Sequence, residues 1–152
     1  MKGWRKMIIA EWRTPGLFKA DSQRVAEEIA EIGEEVTAKQ IVDRARDTSA
    51  ELHKCFDWND TTAAEKYRLH QATIITSQLI VRRTEQEKQE ERPPLRVFHK
   101  VEASGGYKPI QTIVTREDEY QKLLQRAYAE LHAFKVKYSG LQELDYILSL
   151  ID

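Results

Sequence analysis

Tyr120, Leu124, Ala127, Leu131, Phe134 and Tyr138 recur at alternating steps of four and three residues, the spacing that lines one side of an α-helix. A strand cannot use that spacing, because its side chains alternate with period two. The last third of this 152-residue chain is therefore expected to be one long helix. Gly140 interrupts it, and Leu141, Leu144, Leu148 and Ile151 continue the pattern as a short second helix. The run is shorter than the heptad repeats of a free-standing coiled coil. It packs either on its own domain or on a second copy, and the six seam residues from Tyr120 to Tyr138 are a candidate oligomer interface.

Helix and turn signals alternate upstream. Val25, Ala26, Ile29 and Ile32 form one apolar stripe behind Asp21 or Ser22, either of which can accept amide protons of the first turn. Gly33 is expected to close that helix in a left-handed conformation. Thr37 caps a shorter helix to about Arg46, with Ile41, Val42 and Ala45 inward. Residues 47–60 are rich in turn formers and read as irregular. Thr62 and Glu65 have capping-box spacing and open a helix to about Ser77, with Ala64, Tyr67, Gln71 and Ile74 on one face. Phe56 and Trp58 are placed to fold back on that face.

Residues 79–85 read as a strand or as the end of that helix, and Pro93-Pro94 closes a polar excursion after them. LRVFHKVE then alternates as a strand, Gly105-Gly106 supplies a turn, and YKPIQTIV returns as its partner. A lone hairpin is marginal, so a third strand at 79–85 or a helix beneath it is needed. The expected fold is α+β and predominantly helical, with helices around a small antiparallel hairpin or three-stranded sheet and a long C-terminal helix. Residues 1–20 read as a basic N-terminal arm, and residues 21–152 as a single mostly helical domain.

Several chemistries find little support. The lone cysteine, Cys55, excludes an internal disulfide framework and points to a reducing, cytoplasmic setting. No apolar run approaches a membrane span, and the MIIA run before Glu11 is too short for a signal peptide, so the N-terminus reads as mature. No Walker loop, GxGxxG, GxSxG or HExxH occurs. His53, Cys55 and Asp57 lie close in sequence, but a metal site needs three or four ligands. A Cys55 nucleophile with His53 or His70 lacks an orienting third residue and an oxyanion donor. No metal, cofactor or enzymatic activity is expected, and no membrane partner.

Charge directs attention to partners. Residues 22–46 superficially resemble a helix-turn-helix, yet residues 21–51 carry nine acids against four bases and would repel phosphate. Residues 1–19 carry five bases against Glu11 alone, and Trp4, Arg5, Lys6, Trp12 and Arg13 interleave rings with cations. The same arm can dock on the core through Trp4, Ile8, Ile9 and Trp12. Arg82, Arg83, Arg96 and Lys100 make the hairpin region a second basic patch. Together these are the candidate nucleic-acid contacts.

The segments LHKCFDWNDTTAAEKYRLHQA and YQKLLQRAYAELHAFKVKYSGLQEL resemble a group of uncharacterised proteins encoded in phages and prophages. The resemblance rests on Leu52, His53, Phe56, Trp58 and Asp60, on Tyr67, Arg68, Leu69, Gln71 and Ala72, and on Lys137, Tyr138, Leu141, Glu143 and Leu144. It covers about residues 21–152. Thr73 departs from the arginine that often follows in that group, which puts any contact made there in doubt. The resemblance implies a mobile-element setting and no particular chemistry. The leading expectation is a non-enzymatic phage or prophage accessory protein that binds another macromolecule as a homo-oligomer. Nucleic-acid binding through the arm and hairpin is the alternative, and a virion structural role a third.

Overall fold

Side-chain caps and apolar spacing set the helical half of the chain. The computed structural model describes residues 8–59 and 62–151, apart from the side chains at 62 and 63. Helix α1, Ser22–Ile32, starts where the Asp21 carboxylate accepts the Arg24 amide at 3.0 Å, and it buries Val25, Ala26, Ile29 and Ala30. Gly33 follows at φ 166°, in extended backbone, so the expected left-handed stop is replaced by a direct exit towards Val36. Helix α2, Ala38–Ala45, has a reciprocal cap between Thr37 and Gln40 and buries Ile41, Val42 and Ala45. A short 3-10 helix, Glu51–Cys55, is tied to α1 by the Glu28 carboxylate, which accepts the Glu51 and Leu52 amides at 2.9 and 2.8 Å.

Helix α3, Thr62–Gln78, runs straight into strand β2, Leu79–Val81, so residues 79–81 are a strand that begins where the helix ends. The capping box expected at Thr62 lies outside the described side chains. The inward face of α3 is Arg68, Ala72, Ile75 and Thr76, one position round from the expected face, and Tyr67 is 55% exposed. The rotation follows from Leu79, which is buried and paired with Trp12 and so sets the phase of the helix before it.

Strand β1, Ala10–Trp12, pairs antiparallel with β2 in the register Ala10 to Val81 and Trp12 to Leu79. Residues 8–20, expected as part of an arm outside the domain, are thus built into it, because Ile8, Ala10 and Ala20 are buried in the main core. On the other edge of β2, Val81 donates to the Leu95 carbonyl at 2.8 Å and Val97 to the Leu79 carbonyl at 2.9 Å. A short exposed helix α4, Glu85–Gln89, with its own Thr84–Glu87 capping box, spans the excursion between them.

Strands β3, Phe98–Lys100, and β4, Tyr107–Pro109, form the expected hairpin. The second strand is shorter than expected: Ile110–Ile113 coil into helix α5. Ile110 still donates to the Val97 carbonyl at 2.6 Å, but the Val97 N–H bonds Leu79 instead of returning to Ile110, and the helical turn directs both Ile110 and Ile113 into a second apolar cluster with Val101. Helix α6, Glu117–Tyr138, joins that cluster through Leu123 and then continues past the domain. A 3-10 turn, Gln142–Leu144, and helix α7, Asp145–Ser149, complete the chain, with Leu148 buried and the Lys135 ammonium donating to the Ile151 carbonyl at 2.6 Å. The fold is α+β and 56% helical, and its two sheets have two short strands each, so helices supply most of the packing surface.

Candidate functional site

Two regions stand out, and both involve α6. Between its first half and the β3–β4 hairpin lies a cleft of about 630 Å³. Tyr120, Leu123, Leu124, Arg126, Ala127 and Glu130 form the helical wall, a set that repeats at helical spacing. Arg96, His99, Lys100 and Tyr107 face it from the hairpin segment, with Leu95 and Ile110 adding apolar surface.

The cations of this cleft are unlike those around it. Arg83 pairs with Glu11 at 3.1 Å, Lys108 with Glu119 at 2.8 Å, Lys122 with Glu102 at 3.0 Å, and Arg116 with Glu34. Among the described residues no carboxylate pairs with Arg96, Lys100 or Arg126. The Arg96 Nε–H is buried and meets no acceptor. Burial makes the Arg96 cation less favourable than an exposed guanidinium, the Tyr107 phenol works the other way, and the nearby Arg13 charge adds to the depression. Arg126 donates to the Lys100 carbonyl, and the Lys100 ammonium sits 5.1 Å from the Tyr107 ring centre. His99 Nε2–H donates to the Arg96 carbonyl at 3.0 Å. Burial holds the His99 imidazole below its ordinary pKa, with the Arg96 and Arg126 charges acting in the same direction against the opposing backbone hydrogen bond.

The second region is the outer part of α6. Residues 127–134 are exposed on every side of the helix. Leu131 and Phe134 are each 45% exposed, and Tyr128 and Val136 more so. Beyond them the Phe134 and Tyr138 rings meet at 4.8 Å. The seam expected from Tyr120 to Tyr138 is therefore divided by the fold. Tyr120, Leu124 and Ala127 line the cleft, whereas Leu131 and Phe134 stand outside it.

The candidate nucleic-acid contacts are similarly dispersed. Trp4, Arg5 and Lys6 lie outside the described residues. Trp12 is tied into the fold, its indole N–H donating to the Ala20 carbonyl at 2.8 Å and its ring 4.7 Å from Phe18. Arg82 donates to the Gln23 side chain at 3.2 Å, and Arg83 is neutralised by Glu11. Arg13, Arg96 and Lys100 are the members brought towards one region, where Arg126 and His99 join them. Neither of those two was singled out from sequence. Arg126 carried one signal: it sits three residues after Leu123, on the same helical face.

The LHKCFDW stretch is structural in its contacts. Leu52 and Phe56 are buried, His53 stacks on Trp58 at 4.8 Å, and the Trp58 indole donates to the His53 carbonyl at 2.9 Å. Burial, reinforced by the Glu51 and Glu28 charges, pushes the Cys55 thiol up to about 12, so it is not a thiolate at neutral pH. Among the described residues no three His, Cys, Asp or Glu side chains converge in a way that would hold a metal ion, and no helix is long and apolar enough to cross a membrane. Comparison with protein-family models, with curated proteins and with solved structures finds no match.

Proposed function

We propose that this protein acts without catalysis, by binding another macromolecule, and that it does so as a homo-oligomer joined through the outer half of α6. The observation that carries this reading is the exposure of residues 127–134 on all sides of a helix whose seam still holds Leu131 and Phe134. Isolated helical turns are marginal in water, and most helix stability in proteins comes from packing an apolar face. A second copy fits that face. The heptad spacing is self-complementary, so a two-fold axis sets Leu131 of one copy against Phe134 of the other. That pairing makes the two helices antiparallel, with Glu130 of one copy level with Lys135 of the other. The setting is the phage or prophage one implied by the resemblance of residues 52–72 and 120–144.

Sedimentation velocity of the purified chain tests the reading. The wild type is expected to sediment as a dimer or larger species at micromolar concentration. Leu131→Lys with Phe134→Lys is expected to give a monomer with unchanged helicity. A wild-type monomer at that concentration would refute the oligomer.

Nucleic-acid binding is the second reading, supported by Arg13, Arg96 and Lys100, which pair with no carboxylate among the described residues. It calls for co-sedimentation with a short duplex that weakens steeply as salt rises.

A further inference from the structure

We propose that the cleft between α6 and the β3–β4 hairpin binds a small organic anion, its phosphate or carboxylate head held by Arg96 and Arg126 and its apolar body lying against Leu124 and Ile110. The volume of about 630 Å³ is that of a site for a small molecule, and the lining combines apolar surface with a few converging polar groups. Glu130 is the one acid on its walls, against Arg96, Lys100 and Arg126, so the cleft carries a net positive charge.

The Arg96 side chain makes the strongest case. A buried N–H without an acceptor destabilises a fold, and the neighbouring bases show that this chain supplies carboxylates where only neutralisation is needed. An oxyanion in the cleft meets the terminal guanidinium nitrogens of Arg96, beyond that enclosed N–H, and offsets the positive charge that Arg96, Lys100 and Arg126 place on the walls. Among the described residues Arg126 makes one hydrogen bond, to the Lys100 carbonyl, which leaves further guanidinium N–H groups to donate. Arginine's planar fork suits phosphate and carboxylate alike. The cations converge inside a cleft, whereas a nucleic-acid strand needs a row of them tracking its backbone along a groove. Around the cleft, Lys108, Arg116 and Lys122 are already neutralised.

Isothermal titration calorimetry on the full chain tests this with three probes: adenosine 5′-monophosphate, octanoate and inorganic phosphate. At least one of the two organic anions is expected to bind about tenfold or more tightly than inorganic phosphate, because the apolar walls add to the head-group contacts. Preference for the nucleotide assigns a phosphate ester with a planar body, and preference for octanoate a fatty carboxylate. Arg96→Gln and Arg126→Gln are each expected to weaken binding about tenfold or more, while Lys39→Gln, the same charge change on an exposed side chain that does not line the cleft, leaves it unaltered. Arg96→Met is expected to lose binding and yet raise the melting temperature of the ligand-free protein, which separates a lost site from a lost fold. The proposal is overturned if neither organic anion binds more tightly than inorganic phosphate, or if Arg96→Gln binds as the wild type does. It is also overturned if a single-stranded oligonucleotide binds with the same dependence on Arg96 and Arg126 and displaces the probe.

Discussion

The Arg68 guanidinium lies 4.8 Å from the centre of the Trp58 ring, a contact that joins helix α3 to the loop ahead of it. Arg68 is 4% exposed, and it donates to the Asp57 carbonyl at 2.9 Å and to the Asn59 carbonyl at 3.0 Å. Asp57 and Asn59 lie in no strand or helix, so the side chain substitutes for secondary structure there. Replacing Arg68 by Ala removes both of these donors and the ring contact of a buried side chain, and is expected to cost about 2–4 kcal/mol. Lys keeps the charge but not the fork, and is expected to recover less than half of the loss. Urea unfolding measures both, and a shift below about 0.5 kcal/mol for the Ala variant, the range of an ordinary surface change, would show that the loop holds itself.

Arg68 also explains why part of the fold was hidden in the sequence. Its charge marks a solvent face by ordinary pattern reading, which turns the expected apolar face of α3 towards Tyr67. Helices α1 and α2 were legible because Asp21 and Thr37 cap them and their buried residues are all apolar. The long helix α6 was legible from its spacing, but spacing does not say what a helix packs against. Its walls for the cleft come from residues 120–130 and 95–110, which only the hairpin and α5 bring together. The convergence of Arg96 with Arg126 was therefore beyond any local pattern.

Glu51 is expected to set part of the acid limit of stability. Its carboxylate accepts the Asp21 amide at 2.8 Å and faces Arg24 and Lys54, each at 3.1 Å. The Asp21 hydrogen bond, with Lys54 and Arg24 adding to it against the opposing effect of burial, holds the carboxyl below its ordinary value of 4.5. The folded state therefore binds fewer protons than the unfolded one in this range. The stabilisation is fully present above about pH 4.5 and is lost as pH falls through the lowered folded value. Glu51→Gln is expected to cost about 1–3 kcal/mol at neutral pH and to flatten the acid limb of the melting-temperature profile. An unchanged acid limb would assign it to other carboxylates.

Gly106 and Gly105 are expected to respond differently to the same methyl group. A Cβ at Gly106 would stand 2.7 Å from the Val36 carbonyl oxygen and 2.8 Å from its carbon, at the bridge where Val36 and Tyr107 exchange backbone hydrogen bonds of 2.9 and 2.6 Å. Backbone cannot yield there without breaking the bridge. At Gly105 the nearest atom, at 2.7 Å, is Oε1 of the Glu35 side chain, which can swing away at the loss of its bond to the Gly106 amide. Gly106→Ala is expected to cost about 2–3 kcal/mol and Gly105→Ala about 1 kcal/mol. Equal costs in chemical unfolding would mean that turn conformation, and not the approach of Val36, requires glycine.

His99 gives stability a second dependence on pH, with its own window. Burial lowers its pKa below the ordinary 6.5, and the Arg96 and Arg126 charges add to that, although the hydrogen bond to the Arg96 carbonyl favours the charged ring. The unfolded chain therefore takes up the proton first as pH falls. Stability is expected to decline from about pH 6.5 down to the lowered folded value and to lose nothing further to this residue below it. His99→Gln keeps a side-chain N–H for the Arg96 carbonyl but does not titrate. Melting temperatures at about pH 7.5 and about pH 5.5 should differ more for the wild type than for this variant, on either side of the histidine's ordinary value. If the two proteins lose the same amount, the histidine is not the titrating group. An anion bound between Arg96 and Arg126 offsets the repulsion that protonated His99 would feel, so saturating ligand is expected to shrink the wild-type difference towards that of the variant.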